Sequence, residues 1–172
     1  MGGSEDLTGS ELHALAIEVL DTCKARGLML ATAESCTGGL VAATLVDVPG
    51  SSALVERGFV TYSNAAKAEM LCVPMGLIDH YGAVSEPVAI AMATGALARS
   101  NAQIAVSITG VAGPGGGTAT KPEGLVHFAC ASTGTPTAHA RIEFGPLGRT
   151  EVRHASVRQA FEMILSKAAS TT

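Results

Sequence analysis

The chain has 172 residues, of which 47% are hydrophobic and 3% aromatic, with no tryptophan and a formal net charge of −4. That length supports one domain with a substantial core of Ala, Val, Leu, Ile and Met, a palette suited to helices packed closely on a sheet. The acidic balance and the absence of a basic run argue against a nucleic-acid partner. No apolar stretch is long enough to span a bilayer, and the polar N-terminus lacks a charged-then-apolar signal region, so a cytoplasmic protein with no membrane partner is expected.

In chain order, residues 10–26 read as an amphipathic helix with Leu12, Leu15, Val19 and Leu20 on one face, Ser10 as N-cap and Gly27 just past its end. Leu28 to Thr32 reads as a short buried strand, and Gly39 to Val46 as a helix that stops before the Pro49-Gly50-Ser51-Ser52 turn. Phe59 to Tyr62 reads as a strand and Ala65 to Leu71 as a short helix. Ser85-Glu86-Pro87 opens a helix to about Arg99, since proline is tolerated in a first turn. Its small residues Ala89, Ala91, Ala93 and Ala96 permit close approach to a sheet. Strands follow at Ile104 to Ile108, Leu125 to Ala131 and Ala138 to Phe144; the last two are joined too tightly for a crossover and are therefore antiparallel. A final helix runs from Arg149 to Lys167. The pattern predicts an α/β fold, a single three-layer α/β/α domain with a mixed β-sheet over residues 9–168, flanked by flexible termini at 1–8 and 169–172.

Three polar junctions each follow a predicted strand: Ala33-Glu34-Ser35-Cys36-Thr37-Gly38-Gly39, Thr61-Tyr62-Ser63-Asn64-Ala65-Ala66-Lys67, and the glycine-rich run from Thr109 to Thr118. Ligands gather where strands end and loops diverge, so the three can share one rim. Ser35 is the leading nucleophile candidate, and a serine hydroxyl needs a base. His13, His80, His127, His139 and His154 all lie outside the junctions, and His127 reads as a satisfied, partly buried strand residue. Lys67 is the better base, provided burial or a neighbouring cation lowers its pKa, with Tyr62 placed between base and nucleophile. Five residues apart in one helix differ by roughly 140° in azimuth, so Tyr62 and Lys67 converge only if Tyr62 ends a strand and Lys67 opens the next helix. Cys36 competes with Ser35 as nucleophile; its alternative reading is a small apolar residue under the turn. Glu34 reads as a carboxylate that holds the loop through backbone N–H groups. The run from Thr109 to Thr118 carries five glycines and one proline but matches neither a Walker loop nor a dinucleotide fingerprint. Arg149 and Arg153, one helical turn apart, can clamp a phosphate or carboxylate, though a solvated face is the plainer reading. Cys23, Cys36, Cys72 and Cys130 have no C-x-x-C spacing and no histidine at zinc-ligand spacing, which argues against a structural metal or a disulfide framework.

Taken together, residues 33–39, 49–52, 58–67, 82–86 and 109–114 with Lys121-Pro122 resemble the CinA C-terminal family, competence/damage-inducible protein domains of the nicotinamide-nucleotide amidohydrolase (PncC) type. The resemblance covers about residues 9–167, and the chain looks like the stand-alone form. It implies deamidation of nicotinamide mononucleotide to nicotinate mononucleotide and ammonia, as in pyridine nucleotide salvage, without metal or cofactor and in a homo-oligomer. It also implies a catalytic Ser35, Tyr62 and Lys67, with Ser52, Thr109 and Arg149 around the substrate. The mechanism expected from both lines has Lys67 take the Ser35 proton directly or through Tyr62, with backbone N–H groups at Thr37, Gly38 and Gly39 stabilising the oxyanion. The loop that opens with Thr109 and Gly110 would hold the ribose phosphate together with Arg149. A Tyr/Lys oxidoreductase fails on spacing and loop, and a Ser-x-x-Lys hydrolase fails because Ser63 stands four residues before Lys67. A non-catalytic nucleotide-binding module, or an interaction module in competence or DNA damage, is the remaining rival.

Overall fold

The computed structural model describes residues 9–171. Helix α1 (Gly9–Arg26) starts one residue before Ser10, which therefore sits inside its first turn. The helix ends on Gly27, whose φ of 66° lets the Leu28 N–H reach the Cys23 carbonyl at 2.9 Å. The chain then alternates β1 (Leu30–Glu34), α2 (Leu40–Val46), a short 3₁₀ turn (Ser51–Ala53) and β2 (Val55–Val60). Three helices follow, α3 (Asn64–Leu71), α4 (Met75–Tyr81) and α5 (Glu86–Ala98), then β3 (Ile104–Gly110), β4 (Leu125–Ser132), β5 (Thr135–Glu143) and α6 (Arg149–Ser170).

The sheet order is β2-β1-β3-β4-β5, with β2, β1 and β3 parallel and β4 and β5 antiparallel. The period of two along each strand separates two cores. Leu30, Ile104, Val106, Ile108, Val126 and Phe128 meet α1, α2 and α6. Ala31, Ala33 and Ala105 meet α3, α4 and α5 on the opposite face. The expected close approach of the alanine-rich helix is realised, since Ala89 and Ala93 of α5 pack on Ala129 and Ala131 of β4. The mixed three-layer α/β architecture is therefore as expected.

Differences in element bounds have local causes. Strand β1 lies two residues later than its apolar run because its last residue is a buried carboxylate, Glu34. Strand β2 starts at Val55, earlier than expected; it is an edge strand whose half-exposed Val55-Glu56-Arg57-Gly58 has no apolar signature. Helix α4 was unpredicted. It has seven residues and opens on Pro74, with no capping side chain to announce it. Of the termini expected to be flexible, residues 1–8 and 172 lie outside the described residues. Helix α6 runs on to Ser170, and the Thr171 hydroxyl is buried against Ser132 Oγ at 3.2 Å. No helix among the described residues is long and apolar enough to cross a membrane.

Strand β1 occupies the point where the connections part. Helix α2 leaves β1 on one face of the sheet, and the chain from β2 reaches β3 through α3, α4 and α5 on the other. This is the crevice in which open α/β sheets bind ligands. Glu34 anchors it. Its Oε1 accepts the Val41 N–H at 2.8 Å and its Oε2 the Ala42 N–H at 3.1 Å, so a buried carboxylate sits on the positive end of α2. The expected loop-holding role of Glu34 is thus realised. Replacing it with alanine strands two amide donors, each costing roughly 1–3 kcal/mol. We expect Glu34→Ala to lose about 2–4 kcal/mol in urea unfolding; a loss below about 0.5 kcal/mol, the range of an ordinary surface change, would contradict this.

Candidate active site

Ser35 is the first residue after β1, and its N–H donates to the Ile108 carbonyl of β3 at 3.0 Å. Lys67 stands in the first turns of α3, whose N-terminus is capped by Ser63 Oγ accepting the Ala66 N–H at 3.0 Å. Lys67 thus opens the helix as expected, whereas β2 ends at Val60 and Tyr62 lies in the short connection between β2 and α3 rather than at the strand's end. Ser35, Cys36, Tyr62, Asn64 and Lys67 line a cleft of about 200 Å³. Ala83, Val84, Thr109, Gly110, Ala112 and Arg149 complete its wall.

Lys67 is only 1% exposed. Its Nζ is 3.1 Å from Ser35 Oγ, 2.8 Å from the Thr61 carbonyl and 3.5 Å from the Tyr62 carbonyl. No carboxylate forms an ion pair with it among the described residues. Burial pulls its pKa below the usual lysine value. The partner set suits the neutral amine: two N–H groups point at two carbonyls, which leaves the lone pair for the Ser35 O–H. Cys36 is different. Burial pushes its thiol up to about 12, and no hydrogen bond joins it to Lys67. The apolar-residue reading of Cys36 fits this environment better than the nucleophile reading.

Three expectations are corrected. The Tyr62 phenol does not bridge Ser35 and Lys67; the side chain is 65% exposed and its Oη accepts from Arg149 Nη2 at 3.3 Å. Lys67 reaches Ser35 directly, and Tyr62 contributes its backbone carbonyl. Ser52 is remote, because the 3₁₀ turn that holds it leads into the start of β2, whereas the cleft lies past the ends of β1 and β2. The two ends of a six-residue strand are roughly 20 Å apart. Third, Thr37, Gly38 and Gly39 do not line the cleft. The Gly38 N–H is taken by the Ser35 carbonyl at 3.0 Å, and Leu40 N–H by the Thr37 carbonyl at 3.1 Å. Thr37 is fully buried, and its carbonyl accepts from Arg153 Nη2 at 2.8 Å.

The third junction divides. Thr109 and Gly110 do line the cleft. Thr109 Oγ1 donates to the Ala83 carbonyl at 2.8 Å and ties the Gly82–Ser85 loop to the site. Gly110 is required sterically, since a Cβ there would sit 2.8 Å from the Leu125 carbonyl oxygen of β4. Farther along, the glycine run folds around its own carboxylate: Glu123 Oε2 accepts the Gly115 N–H at 3.2 Å. That amide is not open to a substrate phosphate. Arg149 opens α6 and stands at the cleft, donating from Nη1 to the Gly113 carbonyl at 2.8 Å. None of the five histidines lines the cleft. His127 is paired with His139, Nδ1 to Nε2 at 2.9 Å, and burial with neighbouring positive charge pulls its pKa down to about 4. No group of three potential metal ligands occurs among the described residues. Sequence reasoning left Asn64 without a role; its position three residues before Lys67, on the same helical side, was the available signal.

The family profile of the CinA C-terminal domain matches residues 12–168. This chain belongs to the CinA C-terminal domain family. It is 55% identical to the nicotinamide-nucleotide amidohydrolase PncC of Escherichia coli K12 over 126 residues, which is 73% of this chain and 76% of that protein. It is 53% identical to a CinA-like protein of Mycolicibacterium vanbaalenii over 138 residues, 80% of this chain but 32% of that longer protein. The match to a competence-damage inducible protein of Symbiobacterium thermophilum likewise spans only 30% of that relative's length. Among solved structures, the competence/damage inducible protein CihA of Agrobacterium tumefaciens superposes with a TM-score of 0.89 at 50% identity, covering 90% of this chain and 94% of that one. A CinA superfamily protein of Klebsiella pneumoniae gives 0.88 at 37% identity, covering 93% and 99%.

The Lys67 environment carries a stability signature. A lysine whose folded pKa lies below its unfolded value binds fewer protons in the native state between those two values, so stability rises with pH across that window. We expect the unfolding free energy of the native chain, relative to Lys67→Met, to grow as pH rises from neutrality towards about 10.5, the ordinary lysine pKa. Denaturant titrations of both proteins across that range check it; a difference that stays flat or shrinks contradicts a buried, depressed amine.

Proposed function

We propose that this chain is an amidohydrolase that deamidates nicotinamide mononucleotide, releasing nicotinate mononucleotide and ammonia. The observation that carries the reading is the 3.1 Å contact between Ser35 Oγ and a buried Lys67 Nζ that has no acidic partner among the described residues. The PncC relatives, with 55% identity in Escherichia coli and 47% in Enterobacter agglomerans, support the substrate class. The cleft of about 200 Å³ is smaller than the roughly 300–1,000 Å³ that encloses a whole drug-sized ligand. It suits the pyridine carboxamide, with the ribose phosphate left at the mouth beside Arg149.

In the proposed reaction neutral Lys67 takes the Ser35 proton while Oγ bonds the carboxamide carbon. The tetrahedral intermediate collapses with cleavage of the C–N bond, and Lys67 returns the proton to the leaving ammonia. Lys67 then deprotonates the water that cleaves the acyl-ester and frees Ser35. Arg149 gives a bidentate-capable cation for the phosphate, whose binding energy orients the amide. Tyr62 acts through its carbonyl on Lys67 and through its phenol on Arg149, outside the proton path. The chain is expected to work in the cytoplasm and as a homo-oligomer.

Ammonia release from nicotinamide mononucleotide is the test. Ser35→Ala and Lys67→Ala should each lower kcat by about 10³-fold or more, as for members of one catalytic unit. Tyr62→Phe should cost less than about tenfold, the worth of one neutral hydrogen bond. The acid limb of kcat/KM should report Lys67 losing its proton at a pH below the ordinary lysine range. Full turnover in either alanine variant would remove the Ser–Lys assignment. No turnover in the unmodified chain, with the nucleotide still bound, would favour a non-catalytic binding module.

A further inference from the structure

The proposed reaction needs donors for the oxyanion, and two of the amides around the nucleophile are already committed. The Ser35 N–H donates to Ile108 and the Gly38 N–H to Ser35 itself. Most cleft-lining side-chain donors are committed as well. Thr109 Oγ1 donates to the Ala83 carbonyl, and Lys67 Nζ faces the Thr61 and Tyr62 carbonyls. Arg149 donates to Gly113 and Tyr62.

Two side-chain donors remain, the Tyr62 O–H, whose oxygen only accepts from Arg149, and Asn64. Asn64 is the only carboxamide side chain in the cleft wall, and no hydrogen bond to it is made among the described residues. It is the first residue of α3, where the Ser63 cap fixes the turn, and it stands one helical turn before Lys67. Residues three apart on a helix share a side, so the carboxamide rises beside the amine that touches Ser35. Its exposure leaves it free to rotate towards a ligand. We infer that Asn64 is a catalytic residue whose Nδ2 donates to the carbonyl oxygen of the scissile amide and holds the oxyanion formed when Ser35 attacks. The inference rests on the amidohydrolase reading above.

Charge grows on that oxygen as the Ser35 Oγ–carbon bond forms and the carbonyl π pair moves onto oxygen, so the contact strengthens in the transition state. Removing one such donor typically costs about 10²–10³ in kcat. Steady-state ammonia release by Asn64→Ala should therefore show kcat down by about 10²-fold with KM within a few-fold. The acid limb of the pH profile should stay where the unmodified chain has it, because Lys67 is untouched. Asn64→Asp should lose at least as much, since a carboxylate repels the oxyanion. Its acid limb should also move to higher pH, because the new charge beside Lys67 favours the ammonium. The pyridine-3-carbaldehyde analogue of the nucleotide gives an independent readout, since Ser35 adds to it to form a tetrahedral hemiacetal. Asn64→Ala should weaken its binding by the same factor as kcat/KM falls.

Thermal unfolding of both variants close to that of the unmodified chain is expected from an exposed side chain with no internal hydrogen bond. Asn64→Ala with kcat within threefold of the unmodified chain, or with undiminished aldehyde binding, overturns the inference while leaving the deamidase reading intact. A shifted acid limb in Asn64→Ala also overturns it, because the side chain would then act by positioning Lys67. No ammonia release by the unmodified chain overturns both.

Discussion

A lysine amine buried without a counter-charge among the described residues is the constraint around which the site is organised. Placing an ammonium in such a setting is expensive, and a group so placed relieves the cost by giving up its proton. Lys67 has two carbonyl acceptors and one hydroxyl for neighbours, and that set fits an amine with two hydrogens and one lone pair. An Asp at Asn64 would place a negative charge beside the base and favour its ammonium form. The absence of acid at the cleft wall is thus as informative as the presence of the lysine.

The fold supports that arrangement at several removes. Parallel β1 and β3 hold Ser35 through the Ile108 carbonyl, and Glu34 fixes α2 behind it. Serine and lysine lie 32 residues apart in sequence yet meet because α3 starts where β2 ends, beside β1. The alanine-lined face of the sheet lets α5 lie close, and Gly95 of α5 packs directly against the end of α3, where a Cβ would strike the Leu71 carbonyl. Small residues far from the cleft therefore set the position of the helix that carries Lys67.

Much of this is legible in the sequence, and the misreadings share a cause. Ser35 and Lys67 are readable because each lies in a polar junction that follows a strand, and helical pitch alone shows that Tyr62 and Lys67 cannot belong to one continuous helix facing one site. The direction of the Tyr62 phenol is not readable: it depends on Arg149, 87 residues away. The glycine-rich run has the same composition whether it cradles an outside phosphate or an inside carboxylate. The residue that decides, Glu123, lies beyond the run. Ser52 looks like a site residue because a polar turn beside a strand has no label saying at which end of the strands it lies. Helix α4 and the start of β2 escape notice for the opposite reason, since one is too short and uncapped and the other too polar to carry a period.

The account turns on the charge state of one amine, and NMR titration of the Lys67 side chain, assigned by comparison with Lys67→Arg, measures that directly. The account predicts an amine that titrates well below the ordinary lysine value and is neutral in the pH range where the enzyme turns over. A Lys67 that stays protonated up to about 10.5 or beyond, like an exposed lysine, would contradict it.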